Sequence, residues 1–352
     1  MNIALDISPL KTGNFLQHKV RGSGMYINAL KESFLKYYPQ NSYTFFTKRN
    51  EIPKNCNIVH IPYFEPFFLT LPFINNYPTV VTVHDFTPIV FPDFFPRGIK
   101  GEIKWKIQKS LLKKANGVIT DSIASKKDIK RFTNISDEKI HVIYLAAKEE
   151  FKQITQEKRM LIKKKYSLPN SFVLYVGDVT FNKNLPRLLD AIKIVGMPIV
   201  LVGEAITKEN GDLDNPWNRD LKLIREEKKK NNNIICLGFV PQEDLVALYN
   251  LATLFTMPSL YEGFGLPILE AMASGCPVLT SREGSLEEIA GKAAFYVNAY
   301  SVNDIATGIK EIVSNNNLRK KLIAEGIINN KRFSWEKTAK ETLEAYQVLR
   351  NL

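Results

Sequence analysis

Cysteine is scarce in this 352-residue chain. The three residues, Cys56, Cys236 and Cys276, are odd in number and far apart. They offer neither a disulfide framework nor metal-ligand spacing, as expected of a reducing compartment. There are only four histidines, His18, His60, His84 and His141, so any histidine chemistry has few candidates. No run of 18 apolar residues occurs, and no membrane-spanning helix is expected. Residues 1–13 lack a basic n-region and a long apolar h-region, so no signal peptide is expected, and the reading is of a soluble cytoplasmic protein. There is no Walker A string, zinc spacing or Ser–His–Asp motif. Gly-x-Gly-x-x-Gly with an acidic residue about 20 positions on is also missing, which argues against a dehydrogenase. Acidic residues are in deficit: 36 Asp+Glu face 48 Lys+Arg, a net charge of +12. That excess suggests a polyanionic partner, whether nucleic acid, an anionic membrane surface or a phosphorylated ligand.

What is present is an ordinary globular composition. The chain is 45% hydrophobic and 24% charged, which excludes disorder and low-complexity classes. Its length favours two domains. Short apolar runs at 2–7, 43–46, 58–61, 79–83, 117–120 and 139–143 alternate with helical patterns at 24–36, 101–114 and 122–132. A polar stretch at 148–165 follows. The alternation then restarts with strands at 172–176, 198–202, 234–237, 254–257 and 277–280, and helices at 184–194, within 216–229, 242–248 and 265–273. Helical patterns at 303–313, 316–330 and 335–349 close the chain. Strands apolar on both faces and separated by helices imply parallel sheets covered by helices, hence an α/β fold with two Rossmann-like domains.

Residues 1–150 carry 21 Lys+Arg against 13 Asp+Glu, so +8 of the +12 lies in the first half. Part of it falls in 99–114, where Ile99, Ile103, Ile107 and Leu111 recur every four positions among Lys100, Lys104, Lys106, Lys109, Lys113 and Lys114. One reading is a core-facing stripe with a solvated basic back. The other is an interfacial helix at an anionic membrane, with the aromatic loops 63–68 and 91–95 beside it.

The strongest chemical signal is PSLYEGFGLPILEAMASGCPV at 258–278. A strand runs into a glycine loop and then a helix. Gly263 and Gly265 allow close backbone approach, the N–H groups of Phe264, Gly265 and Leu266 lie at a helix start, and Pro267 fits its first turn. Such an N-terminus suits a diphosphate. Glu270, one turn in, can accept from a ribose cis-diol, and Glu262 from a second sugar. The Glu262–Glu270 spacing alone is uninformative, since Glu149/Glu157 and Glu336/Glu344 share it; the strand–loop–helix context gives it weight. In YVGDVTFNKNLPRL (175–188), Asn184 could cap the next helix, and Lys183 at a sheet's carboxyl edge could neutralise a diphosphate leaving group. Arg21-Gly22-Ser23-Gly24 reads as a short glycine loop before a helix. His84 and Asp85 directly follow an apolar strand, and His60 ends another, as a second-line candidate.

Together these residues resemble the retaining glycosyltransferases of the GT-B fold, family 4, in its mannosyltransferase-like branch. The likeness is dense from 175 to 297 and extends to TVHDFTPIVFP (82–92), SIASKKDIKRF (122–132), KIHVIYLA (139–146) and FSWE (333–336). It implies two Rossmann-like domains facing a central cleft. The first, 1–150, is the acceptor side, with a C-terminal helix (335–352) packing back on it; the second, 151–334, binds the nucleotide sugar. It implies that Glu270 holds the ribose, that Phe264, Gly265 and Leu266 present backbone to the diphosphate or sugar, and that Glu262 contacts the transferred sugar. Lys183 then contacts the diphosphate, Gly22 and Gly24 lie near the phosphates, His84 faces the sugar and Val240 lies at the base. The chain departs from the family where Asn182 and Asp178 replace basic residues, leaving neutralisation to Lys183 alone or to Arg187 or Arg21. The usual Gly-Val-Asp is absent at 144–147.

The function implied is retaining hexosyl transfer from a nucleoside diphosphate sugar to a hydroxyl of a lipid-linked, lipopolysaccharide- or capsule-type glycan. The segment after His84 tilts the donor to GDP-mannose, with UDP-hexoses next. Neither metal nor cofactor is implied. The charge is assigned to peripheral contact with the inner face of the cytoplasmic membrane through 99–114, not to nucleic acid, for which no recognition module is present. The alternatives are a nucleotide-sugar epimerase on the same fold and a catalytically silent binding scaffold.

Overall fold

The computed structural model describes residues 1–11, 21–73, 76–207 and 212–350. The chain divides into two units. One comprises Met1–Pro92, Arg97–Ala146 and Phe333–Leu352; the other comprises Asp93–Pro96 and Ala147–Arg332.

The first unit contains β1 (Asn2–Asp6), α1 (Arg21–Tyr37), β2 (Ser42–Phe46), β3 (Ile58–Ile61), β4 (Thr79–Thr82), α2 (Thr87–Val90), α3 (Gly98–Lys113), β5 (Gly117–Thr120), α4 (Ile123–Thr133) and β6 (Ile140–Val142). Its strands form one parallel sheet in the order β2-β1-β3-β4-β5-β6. Strands β3, β4 and β5 are buried along their whole length, which is why they read as short, mostly apolar runs with no polar face.

The second unit contains α5 (Gln156–Lys165), β7 (Val173–Val176), α6 (Leu185–Val195), β8 (Ile199–Val202), α7 (Glu204–Thr207), α8 (Arg219–Lys230), β9 (Ile234–Gly238) and α9 (Gln242–Leu251). It continues with β10 (Leu254–Met257), α10 (Leu266–Ala273), β11 (Val278–Thr280), α11 (Leu286–Ala290), β12 (Phe295–Tyr296), α12 (Val302–Ser314) and α13 (Asn316–Asn330). The sheet is again all parallel, in the order β12-β11-β10-β7-β8-β9. This is the doubly wound dinucleotide-fold order, with its reversal between β7 and β10; such sheets take ligands at the carboxyl ends of the strands flanking the reversal. The chain ends in α14 (Trp335–Leu349), which packs on α1 in the first unit. Among the described residues no helix is long and apolar enough to cross a membrane.

Three local expectations are corrected. Gly22 and Gly24 do not form a loop before α1 but occupy its first turn; neither has the positive φ that a glycine loop uses, and a Cβ on Gly22 would meet nothing. The side chain of Arg21 and residues 12–20, including His18, lie outside the described residues. In α3 the buried face is Gly101, Trp105, Gln108, Leu111 and Leu112, whereas Ile99 and Ile103 are 83% and 53% exposed. At about 100° per residue, a strict four-residue repeat drifts about 40° per step, so the isoleucines wind off the core face while 4-3-4 spacing stays on it. Gln108 uses that face to donate to Thr70 Oγ1 (2.6 Å) and to accept from Leu71 N (3.2 Å). His60, finally, is structural. It is fully buried with both ring nitrogens engaged, by Thr82 Oγ1 at 2.7 Å and by Tyr346 Oη of α14 at 2.5 Å. Burial, followed by repulsion from His84, drives its pKa down to about 3.

Candidate active site

The reversal between β7 and β10 places two loops side by side in the second unit, and both carry candidate residues. After β7 the chain makes a short 3-10 turn, Phe181–Lys183, and Asn184 adopts a left-handed conformation (φ 59°) before α6 begins. Asparagine tolerates that region better than most residues. Its side chain does not cap α6, contrary to expectation. It donates instead to the carbonyls of Pro258 (2.9 Å) and Ala299 (2.7 Å). Asn182 donates to Tyr261 O (3.0 Å), and its own carbonyl accepts from Leu260 N (2.7 Å). Asparagine thus stands at 182 as a buried tie between the loops, a place where a charged side chain would be left without solvent.

These ties bring Lys183 and Glu262 together. The Lys183 ammonium donates to Glu262 Oε1 at 2.8 Å and Oε2 at 2.7 Å, and Ser259 Oγ donates to Oε1 at 2.7 Å. Glu262 is buried and its backbone is held too. Its carbonyl accepts from the Ser285 amide (3.1 Å) and hydroxyl (3.0 Å), and that hydroxyl also donates to Phe264 O (2.8 Å). Gly284 (φ 62°) makes this approach possible, because a Cβ there would lie 2.6 Å from Glu262 O. Gly265 (φ 98°) then turns the chain into α10, with Pro267 in the first turn. The first turn of α10 supplies main-chain donors suited to an anion.

Glu270 lies one turn into α10, buried, with Oε2 accepting from Tyr249 Oη of α9 at 2.9 Å. Burial lifts its pKa to about 7, against the opposing pull of Tyr249 and Lys148. Phe264 and Val240 are buried, and Leu266 is half-buried. Arg187 is committed to Asn184 Oδ1 at 2.9 Å. Among the described residues no group of three or more His, Cys, Asp or Glu is placed to hold a metal ion.

In the first unit, His84 follows β4 and Asp121 follows the neighbouring β5. His84 Nδ1 lies 2.6 Å from Asp121 Oδ2. Asp85, the acidic residue singled out in the sequence, instead accepts from Thr87 N (2.7 Å) and so starts α2. Burial acts to lower His84, but the Asp121 charge and hydrogen bond, with Asp85 and Glu65 behind them, outweigh it, and its pKa is raised. Asp121 and Tyr249 were missed in the sequence. The signal for Asp121 is that β4 and β5 are sheet neighbours, so residues just past their ends meet.

Residues 158–329 match the family Glycosyl transferases group 1, and residues 17–150 match Glycosyltransferase Family 4. O-antigen chain mannosyltransferase B of Escherichia coli is 32% identical over 281 residues, spanning 77% of this chain and 70% of that protein. The chain is a group 1 glycosyltransferase. This glycosyltransferase is also 28% identical over 276 residues to serotype-specific mannosyltransferase WbdA of Escherichia coli, covering 76% of its own length but only 33% of that relative. Its fold matches the crystal structure of Anabaena HepE in complex with UDP and glucose, with a TM-score of 0.74 at 18% identity over 99% of this chain and all of that one. The two parallel six-stranded sheets with flanking helices are those of the GT-B fold.

Proposed function

We propose that this group 1 glycosyltransferase is a retaining mannosyltransferase. It moves mannose from GDP-mannose to a hydroxyl of a lipid-linked or lipopolysaccharide-type glycan. The Lys183–Glu262 pair at the reversal of the second sheet carries the reading. A fixed ammonium beside an anion-binding helix start suits a diphosphate as negative charge develops on it, the task a divalent cation performs elsewhere. Glu262 orients that ammonium and accepts from sugar hydroxyls, and Glu270 holds the ribose. The bond from the anomeric carbon to phosphate breaks as the bond to the acceptor oxygen forms on the same face, and the acceptor proton passes to the departing phosphate. The mannosyltransferase names of the two Escherichia coli relatives support the choice of sugar. The exposed Ile99 and Ile103 of α3, among Lys100, Lys106 and Lys113, support peripheral contact with an anionic membrane.

The test is transfer from GDP-mannose and from UDP-hexoses to lipid-linked glycan acceptors, with the anomeric configuration of the product read by NMR and with chelator present. Axial-to-axial retention without metal, together with a turnover loss of about 10²- to 10³-fold in Lys183→Ala at little loss of donor affinity, is the expected result. Conversion of donor without acceptor would make the protein an epimerase. Binding without any turnover would make it a scaffold.

A further inference from the structure

One pair in the first unit has no place in the donor site of the second. Asp121 is fully buried, and one carboxylate oxygen meets His84 Nδ1 at 2.6 Å. The His84 backbone is held as well, since Ser125 Oγ donates to its carbonyl at 2.9 Å. Ser125 is fixed in turn because its amide donates to Ser122 Oγ (3.0 Å), the N-cap of α4. The Tyr26 ring meets the imidazole edge to face, at 5.0 Å between centroids. The segment from Asp121 to Ser125 therefore fixes His84 at both ends. The other ring nitrogen, Nε2, is buried and has no hydrogen-bond partner among the described residues. A buried polar atom without a partner is costly unless something else satisfies it, and this one belongs to a ring at the carboxyl end of a parallel sheet, where ligands bind.

We propose that Asp121 is a positioning residue that holds His84 by Nδ1–H, so that Nε2 is the atom offered to an oxygen of a substrate bound at the carboxyl end of the first unit's sheet. The proposal rests on the glycosyltransferase reading above. With Nδ1–H committed to a carboxylate, the imidazolium donates from Nε2 in one fixed direction. The ionised and titratable groups around it are Asp121, Asp85 and Glu65, which favour the cation, and His60, which opposes it; Tyr26 packs on the ring. A raised folded value means that the cation is present at lower pH and is lost as pH rises through that value.

Asp121→Asn keeps the shape and removes the charge. At saturating donor its turnover should fall about 100-fold, the scale of a misdirected group, with donor affinity unchanged. The alkaline limb of the kcat profile should move to lower pH. In the His84→Gln background the same substitution should have no further effect. Nitrogen-15 NMR of the imidazole, assigned with His84→Gln, reads the pair without any turnover: Asp121→Asn should lower the His84 titration midpoint and disturb its tautomer. If the wild-type chain transfers no sugar, the reading of its function fails while the NMR arm still decides the pairing. An unchanged midpoint and tautomer, or a full loss of activity from Asp121→Asn on top of His84→Gln, overturns the proposal. Should Asp121→Asn fail to fold, the wild-type protein decides. A strongly downfield Nδ1 proton supports the pair, and its absence overturns it.

Discussion

At the residue scale, Glu270 makes a pH-dependent prediction. Its folded value, about 7, lies above its ordinary 4.5 because it is buried. Ionising it opposes folding, so its contribution to stability declines as pH rises from about 4.5 to about 7 and is level above that. Ribose hydroxyls donating to the ionised form would favour ionisation. On the proposed GDP-mannose reading, GDP affinity should therefore rise with pH up to about 7, with proton release between pH 5 and 7 visible by calorimetry in buffers of different ionisation enthalpy. Tyr249→Phe removes a donor to the carboxylate and should shift this window upward. An affinity flat from pH 6 to 8 would remove Glu270 from the nucleotide. Glu262 and Glu270 stand out in the sequence because a strand, a glycine loop and a helix start occur in one short string, 258–278, and Lys183 because a second string, 175–188, runs in the same order. Asp121 could not. Its partner is 37 positions away, and the carboxylate beside His84 in sequence, Asp85, is used up on a turn.

At the scale of elements, the loop after β10 depends on its neighbour. Gly284→Ala places a Cβ against Glu262 O in a left-handed backbone, which costs about 1–2 kcal/mol. It should also displace Glu262 and weaken GDP binding. Gly196→Ala, at φ 74° with open space around it, should lose similar stability yet leave GDP binding intact. Urea midpoints together with GDP titration separate the two, and equal loss of binding would show that Gly284 acts only through stability. The four-residue strands β3, β4, β5, β8 and β10 are readable because a strand buried on both faces leaves a short, mostly apolar run. The short helices α2, α7 and α11 and the two-residue β12 carry too few residues for any period to show. Local pattern makes Asn184 a cap for α6, but the distant carbonyls of Pro258 and Ala299 take its side chain instead.

At the scale of the whole molecule, the +12 charge is concentrated enough to test. Lys100, Lys106 and Lys113 are exposed on α3. Each lysine near an anionic bilayer is worth about 1 kcal/mol, so replacing the three with Gln should weaken binding to phosphatidylglycerol vesicles about 100-fold, with GDP affinity unchanged. Unchanged vesicle binding would leave the charge as a solvated surface. A different consequence follows from α14. His60 receives its Tyr346 hydrogen bond across 286 positions of chain. At roughly 5–20 residues per second, the ribosome takes on the order of tens of seconds to span that gap. Once β6 has been made, at Val142, the first unit has all its strands, yet until α14 arrives the second ring nitrogen of His60 lacks its partner and the α1 face lacks its cover. All the strands and helices of the second unit, between Ala147 and Arg332, are made within that wait. The half of the protein that begins first is the last to close.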